Sequence, residues 1–571
     1  MKSLSSAGST KCPIRCCVLI LGVAILALVL RLPRLQQRPI HTDEAVHAIK
    51  FGKLLEEGSY TYNPIEFHGP ALNYLTLIPA WLSSTKKLID ASEWTLRIVP
   101  VFFGVLLVLL PLLMVNGLGT SSAIYAAILI AISPAMVFYS RYYIQEMLLV
   151  CFTFSAIACG YRYTQSKNLI WALLTGMSIG LMHATKETSI IAFGSMFLAV
   201  LLTRLWTKPP VRDPALRESK LGAKYLAPRF TRGFCHFFAG LSTGALISAL
   251  FYSSFFTNLN GILDSFRTYA TYFDRATTNS LHFHPWYYYL KMLIYSRYAA
   301  GPIWSEALIV ILAVVGFIVA VIRRMPYGRV KNVTCGPWPV ARDFNLLRFI
   351  AFYTLIMTVV YSAIRYKTPW CMLGFLHGMI LLAAVGAVAL VKLVPKFLPR
   401  LIIVLLLFVA SVHLTWQAYL ANYKYCADPR NPYVYAHTTT DVFTMVQRLE
   451  EIAEVHEDGN KMEIHFICPD EHDFWPFPWY LRSFPNVGYW NTVTDRVISA
   501  SVIIASPSVE QELIKKLYEL PPPGQKRLYV PLFDTYMELR PQIELRGYVP
   551  KDLWDRFQQR QNPASKAGLN I

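Results

Sequence analysis

Charged side chains are scarce in this sequence, and their scarcity excludes an ordinary soluble protein. Only 16% of the 571 residues are Asp, Glu, Lys or Arg, whereas 54% are hydrophobic. Many of the apolar residues form runs of about 18–22 residues, which is the length that crosses a bilayer. The composition therefore predicts a polytopic α-helical membrane protein.

Other features are missing as well, and each absence removes a class of protein. The ten cysteines contain no CxxC pair, so neither a zinc site nor a disulfide framework is indicated, although Cys426 and Cys468 could pair in an oxidising compartment. The sequence contains no GxxxxGK motif followed by Ser or Thr, so ATP-driven transport has no support. The net charge is +19, but the basic residues cluster between apolar runs, where they set membrane topology rather than bind nucleic acid.

We predict eleven transmembrane helices. The first runs from about Cys16 to Leu32 and lacks a signal-peptidase cleavage site, so we expect it to be retained. Lys and Arg are concentrated in the loops 206–232, 323–346 and 392–400, and the positive-inside rule places these loops and the N-terminus in the cytoplasm. The other ten spans are predicted at residues 95–115, 121–139, 147–163, 169–183, 188–205, 233–255, 303–323, 347–364, 372–392 and 401–420.

The stretch HTDEAVHA (41–48) follows the first span on the outer side and carries Asp43, Glu44 and His47. Ionisable groups near a membrane are costly unless they have partners or a function, so we predict an active-site loop over residues 36–94. Two alternatives stay open. The two acids could simply occupy the first turn of a helix, where they complement its dipole. A divalent metal could also be bound by His and carboxylate side chains of this loop, namely His41, Asp43, His47 and His68.

Cations also occur in outer segments, against the rule that governs the other loops. They lie in SRYYIQE (140–146), HATKETS (183–189) and AIRYKTPW (363–370). An anionic partner is the simplest reason for cations there, and a lipid-linked sugar phosphate fits because Arg and Lys neutralise a phosphate leaving group. The same residues could instead form structural ion pairs, Arg141–Glu146 and Lys186–Glu187, or be ordinary interfacial cations, as at Arg365 and Lys367.

The motifs HTDEAVHA, FHGPALNYL (67–75), ATKETS and RYKTPW, in this order, resemble the GT-C membrane glycosyltransferases. This is the clan of protein O-mannosyltransferases and lipid A aminoarabinose transferases. The resemblance is greatest to a prokaryotic branch often labelled flippase-activity-associated, which also carries a DFWPxPWYL-like segment, here 473–481. It covers about residues 15–490 and implies a GT-C-like transmembrane domain.

The resemblance also implies roles for individual residues. Asp43 matches the first acid of the clan's pair, the expected catalytic base, and Glu44 matches the second, which orients the acceptor or supports the base. Lys186 matches the lysine of a TKG-like turn that would meet the donor phosphate. This sequence reads TKET there, so Glu187 could tune that lysine or bind sugar.

The remaining candidates belong to the same outer clusters. For the donor phosphate they are Arg365, Lys367 and Arg141. For the substrate or its sugar they are His47, His68, Glu146, Glu187 and Trp370. No cofactor is certain, although a divalent metal is possible.

The composition changes after residue 420 to that of a soluble domain. An amphipathic helix is predicted at 441–456, and strands are predicted at 461–468, 500–506 and 527–531. We therefore expect a transmembrane domain over residues 1–420 and a small extracytoplasmic α/β domain over residues 421–571.

Together these observations predict an inverting glycosyltransferase in a plasma (inner) membrane, with a cytoplasmic N-terminus. It would move a sugar from a polyprenyl-phosphate donor to an acceptor hydroxyl of a protein, lipid or glycan at the outer face. Two alternatives are a transporter or flippase for a lipid-linked glycan and a noncatalytic partner that handles one.

Overall fold

The computed structural model describes residues 14–65, 68–207, 220–277, 282–322, 343–470, 472–521 and 526–561. Of the two basic loops predicted at 206–232 and 323–346, residues 208–219 and 323–342 therefore lie outside the described residues, and residues 220–232 are helical. Up to residue 419 the described chain is helical, and its helices are α1 Ile14–Arg31, α2 Thr42–Glu57, α3 Ala71–Leu82, α4 Glu93–Leu109, α5 Pro111–Leu118, α6 Thr120–Ile132, α7 Pro134–Tyr139, α8 Glu146–Ser166, α9 Leu169–Thr185, α10 Ser189–Trp206, α11 Lys220–Tyr252, α12 Asn260–Thr277, α13 Tyr288–Ile294, α14 Ala307–Ile322, α15 Phe344–Ala363, α16 Leu373–Leu393 and α17 Phe397–Tyr419.

The helical part confirms a polytopic membrane protein. Eight helical segments within the described ranges are long and apolar enough to cross a membrane, and they are Ile14–Arg31, Glu93–Leu118, Glu146–Ser166, Ser189–Trp206, Arg232–Tyr252, Phe344–Ala363, Pro369–Leu393 and Phe397–Lys424. The other three predicted spans correspond to the shorter apolar helices α6, α9 and α14. Every predicted span thus coincides with a helix, and the total of eleven crossings stays a prediction.

Small residues allow some of these helices to pack closely. A side chain on Gly176 of α9 would overlap the backbone of Gly240 in α11, so glycine at this crossing lets the two helices approach. By contrast, α17 packs loosely and exposes apolar side chains such as Phe408 and Val409, as expected for a helix that faces lipid.

The chain after α17 forms a small α/β layer. Its helices are α18 Asp441–Ala453, α19 Phe477–Tyr480, α20 Glu510–Ile514 and α21 Lys551–Gln561, and its strands are β1 Ile464–Ile467, β2 Val487–Trp490, β3 Val502–Ala505, β4 Tyr529–Pro531, β5 Glu538–Arg540, β6 Ile543–Glu544 and β7 Arg546–Pro550. Five strands form one sheet in the order β2-β1-β3-β7-β4, and β5 pairs with β6. Strands β1, β2 and β3 are parallel, whereas β7 runs antiparallel to its neighbours.

The predicted helix and three predicted strands of this region are confirmed as α18, β1, β3 and β4. The other four strands, β2, β5, β6 and β7, were not predicted. Between α17 and α18 the chain crosses the helical part, where Tyr433 packs against Phe138 and Tyr139. Cys426 and Cys468 are both free thiols, so the possible disulfide is not formed.

Candidate active site

Helix α2 begins at Thr42. His41 is its N-cap, and His41 and Glu44 form a reciprocal capping box. Both acids therefore do lie in the first turn of a helix, as one alternative proposed. Their surroundings nevertheless differ completely.

Glu44 lies in a buried ion-pair network. Its carboxylate accepts hydrogen bonds from Arg97 Nε and Nη2, both at 2.8 Å, and from Arg38 at 3.0 Å. The backbone N–H groups of His41 and Tyr143 also donate to it, at 3.0 and 2.8 Å. Burial alone would raise the pKa of this carboxyl, but Arg38 and Arg97 outweigh burial and hold the pKa well below its usual range. Glu44 therefore ties the start of α2 to α4 and to the chain after α7.

Asp43 is the exposed member of the pair. Its side chain is 46% exposed, and its Oδ2 lies 4.0 Å from His41 Nδ1. Consecutive residues of a helix point about 100° apart, so the burial of Glu44 turns Asp43 away from the ion-pair network. A carboxylate in this position can reach a ligand.

The imidazole of His41 holds the backbone of Asp43. His41 Nδ1 accepts the Asp43 N–H at 3.0 Å, and its Nε2 lies 3.1 Å from the carbonyl oxygen of Tyr435. These two partners require the neutral ring that carries its proton on Nε2. Burial lowers the pKa of His41 and so favours that neutral form. The buried ring of His437 stacks on His41 with the centroids 5.5 Å apart.

The turn between α9 and α10 holds a second buried charge cluster. The Lys186 ammonium forms an ion pair with Glu146, the first residue of α8. Burial would lower the pKa of Lys186, but Glu146 outweighs burial and raises it, so this lysine is a cation. The structural pair Arg141–Glu146 considered from the sequence is therefore wrong, because Glu146 binds Lys186 instead. Lys186 and Glu187 attract each other electrostatically, but the ammonium of Lys186 donates its hydrogen bond to Glu146.

Glu187 faces the other way, towards the first outer loop. Its carboxylate accepts a hydrogen bond from Tyr62 Oη at 3.2 Å and lies 2.9 Å from His68 Nδ1. Gly69 lets the chain beside His68 approach the end of α9, because a Cβ at residue 69 would overlap the carbonyl oxygen of Ala184. The ring of His47 lies 6.0 Å from that of His68, so the predicted residues His47, His68 and Glu187 are brought together.

The turn that contains Lys367 and Trp370 connects these two clusters. Backbone hydrogen bonds join residues 282–284 to residues 365–367. Lys367 is buried and donates to the carbonyl oxygens of His284 and Ile364, whereas Arg365 is exposed. Trp370 lies 5.9 Å from the ring of His41 and also lines a small cavity with Glu146.

Arg141 has a structural position. Its guanidinium donates to the backbone carbonyl oxygens of Arg31, Pro33 and Arg34 and stacks on Tyr423. Burial lowers its pKa to about 10, so it is still a cation at neutral pH. Because these bonds occupy the guanidinium, the geometry does not favour Arg141 as a phosphate ligand.

The geometry also bears on a metal ion. Within the part of the chain that is described, no group of three His, Cys, Asp or Glu side chains is placed to hold one. Both ring nitrogens of His41 are engaged by Asp43 N–H and Tyr435 O. The metal set considered from the sequence, His41, Asp43, His47 and His68, therefore does not assemble.

Sequence reasoning missed several residues of this site. Arg38 and Arg97 bind Glu44, and one signal was available, since Arg97 falls inside a predicted span, where a charge needs a partner. The histidines near Asp43 that come from later segments gave no such signal. They are His282, which lies with its Nδ1 2.5 Å from Tyr435 Oη, and His437.

The site and the fold can be compared with known proteins. The family model described as dolichyl-phosphate-mannose-protein mannosyltransferase matches residues 77–258, less than half of the chain. The structure of ArnT from Cupriavidus metallidurans bound to undecaprenyl phosphate is similar with a TM-score of 0.55 and 12% identity, over 94% of this chain and 98% of that one. A comparison with functionally curated protein sequences finds no match.

A second solved structure shares the fold. The archaeal oligosaccharyltransferase AglB from Archaeoglobus fulgidus, in complex with an inhibitory peptide and a dolichol-phosphate, is similar with a TM-score of 0.50 and 12% identity, over 87% of this chain and 70% of that one. At this identity the likeness shows the fold. The chain thus has the fold of the GT-C membrane glycosyltransferases, and the resemblance to that clan is confirmed.

Proposed function

We propose that the protein is an inverting glycosyltransferase that moves a sugar from a polyprenyl-phosphate carrier to an acceptor hydroxyl. One observation carries the proposal. Of two adjacent acids, Glu44 is neutralised by two arginines, whereas Asp43 is half exposed. This arrangement suits a base that needs a fixed backbone and an accessible carboxylate.

In the proposed reaction the acceptor hydroxyl attacks the anomeric carbon of the donor sugar. Asp43 takes the proton of that hydroxyl while the new C–O bond forms. The bond between the anomeric carbon and the phosphate oxygen breaks, and polyprenyl phosphate leaves with the bonding electrons. Because attack and departure occur on opposite faces of the sugar, a single displacement inverts the anomeric configuration, and charge develops on the ring as an oxocarbenium-like cation.

Cations near the membrane would stabilise the departing phosphate. Lys186 is a buried cation that would exchange its contact with Glu146 for one with phosphate, and Arg365 is exposed. An ammonium has three donors, so Lys367 keeps one for a ligand beside its two carbonyl partners. The undecaprenyl phosphate bound to ArnT and the dolichol-phosphate bound to AglB support a polyprenyl carrier.

The sugar would lie between these cations and Asp43. Trp370 borders both regions, and an aromatic ring offers a sugar an apolar face. His47, His68 and Glu187 form the polar wall nearest to Lys186. Glu44 would support the base by fixing the start of α2 and not touch the acceptor.

The orientation in the membrane belongs to the same proposal. The loop 36–94, the turns 186–189 and 364–372 and the C-terminal domain would face the outside of a plasma membrane. The positive-inside rule supports this orientation. The donor would then reach the site from the outer leaflet, with its chain among the spans.

The test is release and transfer of labelled sugar from a polyprenyl-phosphate donor by the purified protein, with a native membrane extract as the source of acceptor. Asp43→Asn should slow transfer by about 10²–10⁴-fold, the usual contribution of a general base, and retain donor binding. Asp90→Asn is the matched control, since Asp90 is an exposed aspartate of the same outer loop, and it should transfer at the native rate.

Other outcomes would overturn the proposal. Full activity of Asp43→Asn would remove Asp43 from the chemistry. Tight donor binding without any transfer by the native protein would instead favour a transporter, a flippase or a noncatalytic partner for lipid-linked glycans.

A further inference from the structure

The residues just before Asp43 are bound by the C-terminal region and not only by the helices. Ile40 is completely buried, and both of its backbone polar groups have partners after residue 420. Its N–H donates to Tyr480 Oη at 2.9 Å, and its carbonyl oxygen accepts the hydroxyl of Thr438 at 2.8 Å. Tyr480 belongs to α19, and Thr438 to the chain before α18.

The next two residues continue the same pattern. The His41 ring is bound through Nε2 to the Tyr435 carbonyl at 3.1 Å. The hydroxyl oxygen of Thr42 lies 3.4 Å from an Arg540 nitrogen, and Arg540 is itself held by Asp473 at 2.7 Å. Three consecutive residues, 40 to 42, thus have four partners in three separate segments of the C-terminal region.

Asp43 therefore sits between two anchors of different origin. On its C-terminal side, Glu44 is fixed to the membrane domain through Arg38 and Arg97. On its N-terminal side, residues 40–42 are fixed to the C-terminal region. We propose that the C-terminal region positions Asp43 for catalysis, with Tyr480 and Thr438 as the positioning residues. This inference rests on the proposed function, because it takes Asp43 as the base.

The physical reason is the complete burial of Ile40, which keeps solvent from replacing a lost partner. A buried N–H or carbonyl without a partner is unfavourable, so the chain moves to find one. Such a movement displaces the first turn of α2 and the carboxylate of Asp43. A base that is misplaced by about 1 Å costs up to about a hundredfold in rate, while binding of a donor that touches other residues is retained.

The experiment compares Tyr480→Phe and Thr438→Val with Arg482→Gln. Each of the first two variants removes one hydroxyl bonded to Ile40. Arg482 also joins the C-terminal region to the membrane domain, through the Ala91 carbonyl at 2.8 Å, but it does not contact residues 40–42. It is therefore a matched control for docking of the domain in general.

We expect kcat to fall by about ten- to a hundredfold in Tyr480→Phe and Thr438→Val, with KM for the donor unchanged within about twofold. Arg482→Gln should keep the native kcat. Equal losses in all three variants would overturn the inference, since general docking would then explain the effect. Native kcat in both Tyr480→Phe and Thr438→Val would overturn it as well.

A second readout does not depend on activity. Hydrogen–deuterium exchange of peptides that cover residues 40–48 should become faster in Tyr480→Phe and remain native in Arg482→Gln. If exchange at 40–48 is unchanged in Tyr480→Phe and Thr438→Val, the inference fails whatever the protein catalyses. If exchange changes as expected and the native protein transfers no sugar, only the proposed function fails.

Discussion

Replacement of Glu44 by glutamine separates the tasks of the two adjacent acids. The side chain keeps its size and loses its charge, so the guanidinium groups of Arg38 and Arg97 remain buried without a counter-ion. We expect Glu44→Gln to destabilise the protein strongly. Asp43→Asn, one residue earlier, should leave stability unchanged, because its side chain is half exposed.

The magnitude follows from the hydrogen bonds. If the amide oxygen takes the place of Oε1, the bonds from Arg38, Arg97 Nε and Tyr143 N–H remain. The bonds from Arg97 Nη2 and from His41 N–H to Oε2 are lost. Both lost bonds involve the ionised carboxylate, and a hydrogen bond to a charged group is worth about 1.5–3 kcal/mol. Breaking a buried ion pair costs about 3–5 kcal/mol. The expected loss in the free energy of unfolding is at least about 3 kcal/mol.

Thermal unfolding of the purified proteins, monitored by tryptophan fluorescence, measures the loss of stability. Sugar transfer measures the loss of activity. Glu44→Gln should melt several degrees lower than the native protein. Asp43→Asn should melt at the native temperature and lose about 10²–10⁴-fold in rate, the usual contribution of a general base. A native melting temperature for Glu44→Gln would refute the structural role of Glu44. A loss of stability in Asp43→Asn would refute the division into a structural acid, Glu44, and a chemical acid, Asp43.

Three further predictions concern the surroundings of the site. Burial lowers the pKa of His41 below its unfolded value of about 6.5, so the unfolded chain binds more protons and stability should fall as the pH drops through about 6.5. His41→Asn keeps a capping side chain that does not titrate, so the melting temperature should fall less between about pH 7 and 5. An unchanged dependence of melting temperature on pH would show that His41 does not cause the fall. Lys186→Met leaves Glu146 buried and unpaired, so the melting temperature of this variant should drop, and the second change Glu146→Gln should partly restore it. Donor binding should stay weak in both the single and the double variant. Native donor binding would exclude Lys186 as a phosphate ligand. Gly69→Ala should weaken donor binding because its Cβ displaces the carbonyl of Ala184, and a native donor affinity would show that this turn does not form the site.

The helices could be predicted because their signal is local. Long apolar runs and the Lys and Arg of the short loops indicated the spans, and each coincides with a helix. In the C-terminal domain, β1 and β3 are buried inner strands of the sheet. Strand β3 is a continuous apolar run, as buried strands are, and β1 is apolar except for His465. Strand β2, Val487–Trp490, lies at the edge of the sheet and contains Gly488, so it offered no such run.

The partners within the site could not be predicted in the same way. Glu146 was paired with Arg141 because the two are close in sequence, but it binds Lys186, forty residues later. Arg97 lies 53 residues after Glu44, and no periodic pattern connects them. Neighbours in sequence were thus a poor guide to ion pairs, because helix packing decides which charges meet.

The position of Asp43 depends on both the membrane domain and the C-terminal region. A single exposed carboxylate in the first turn of a helix has little to hold it, since helix ends leave backbone groups without partners. Here those groups are bound from two directions: Glu44 accepts the His41 N–H, and the His41 ring accepts the Asp43 N–H. The His41 ring is in turn bound to Tyr435, and Tyr480 and Thr438 hold Ile40. Under the proposed function, an acceptor that displaced the C-terminal region would therefore move Asp43 as well, and we expect acceptor binding to shift this proposed base through residues 40–42.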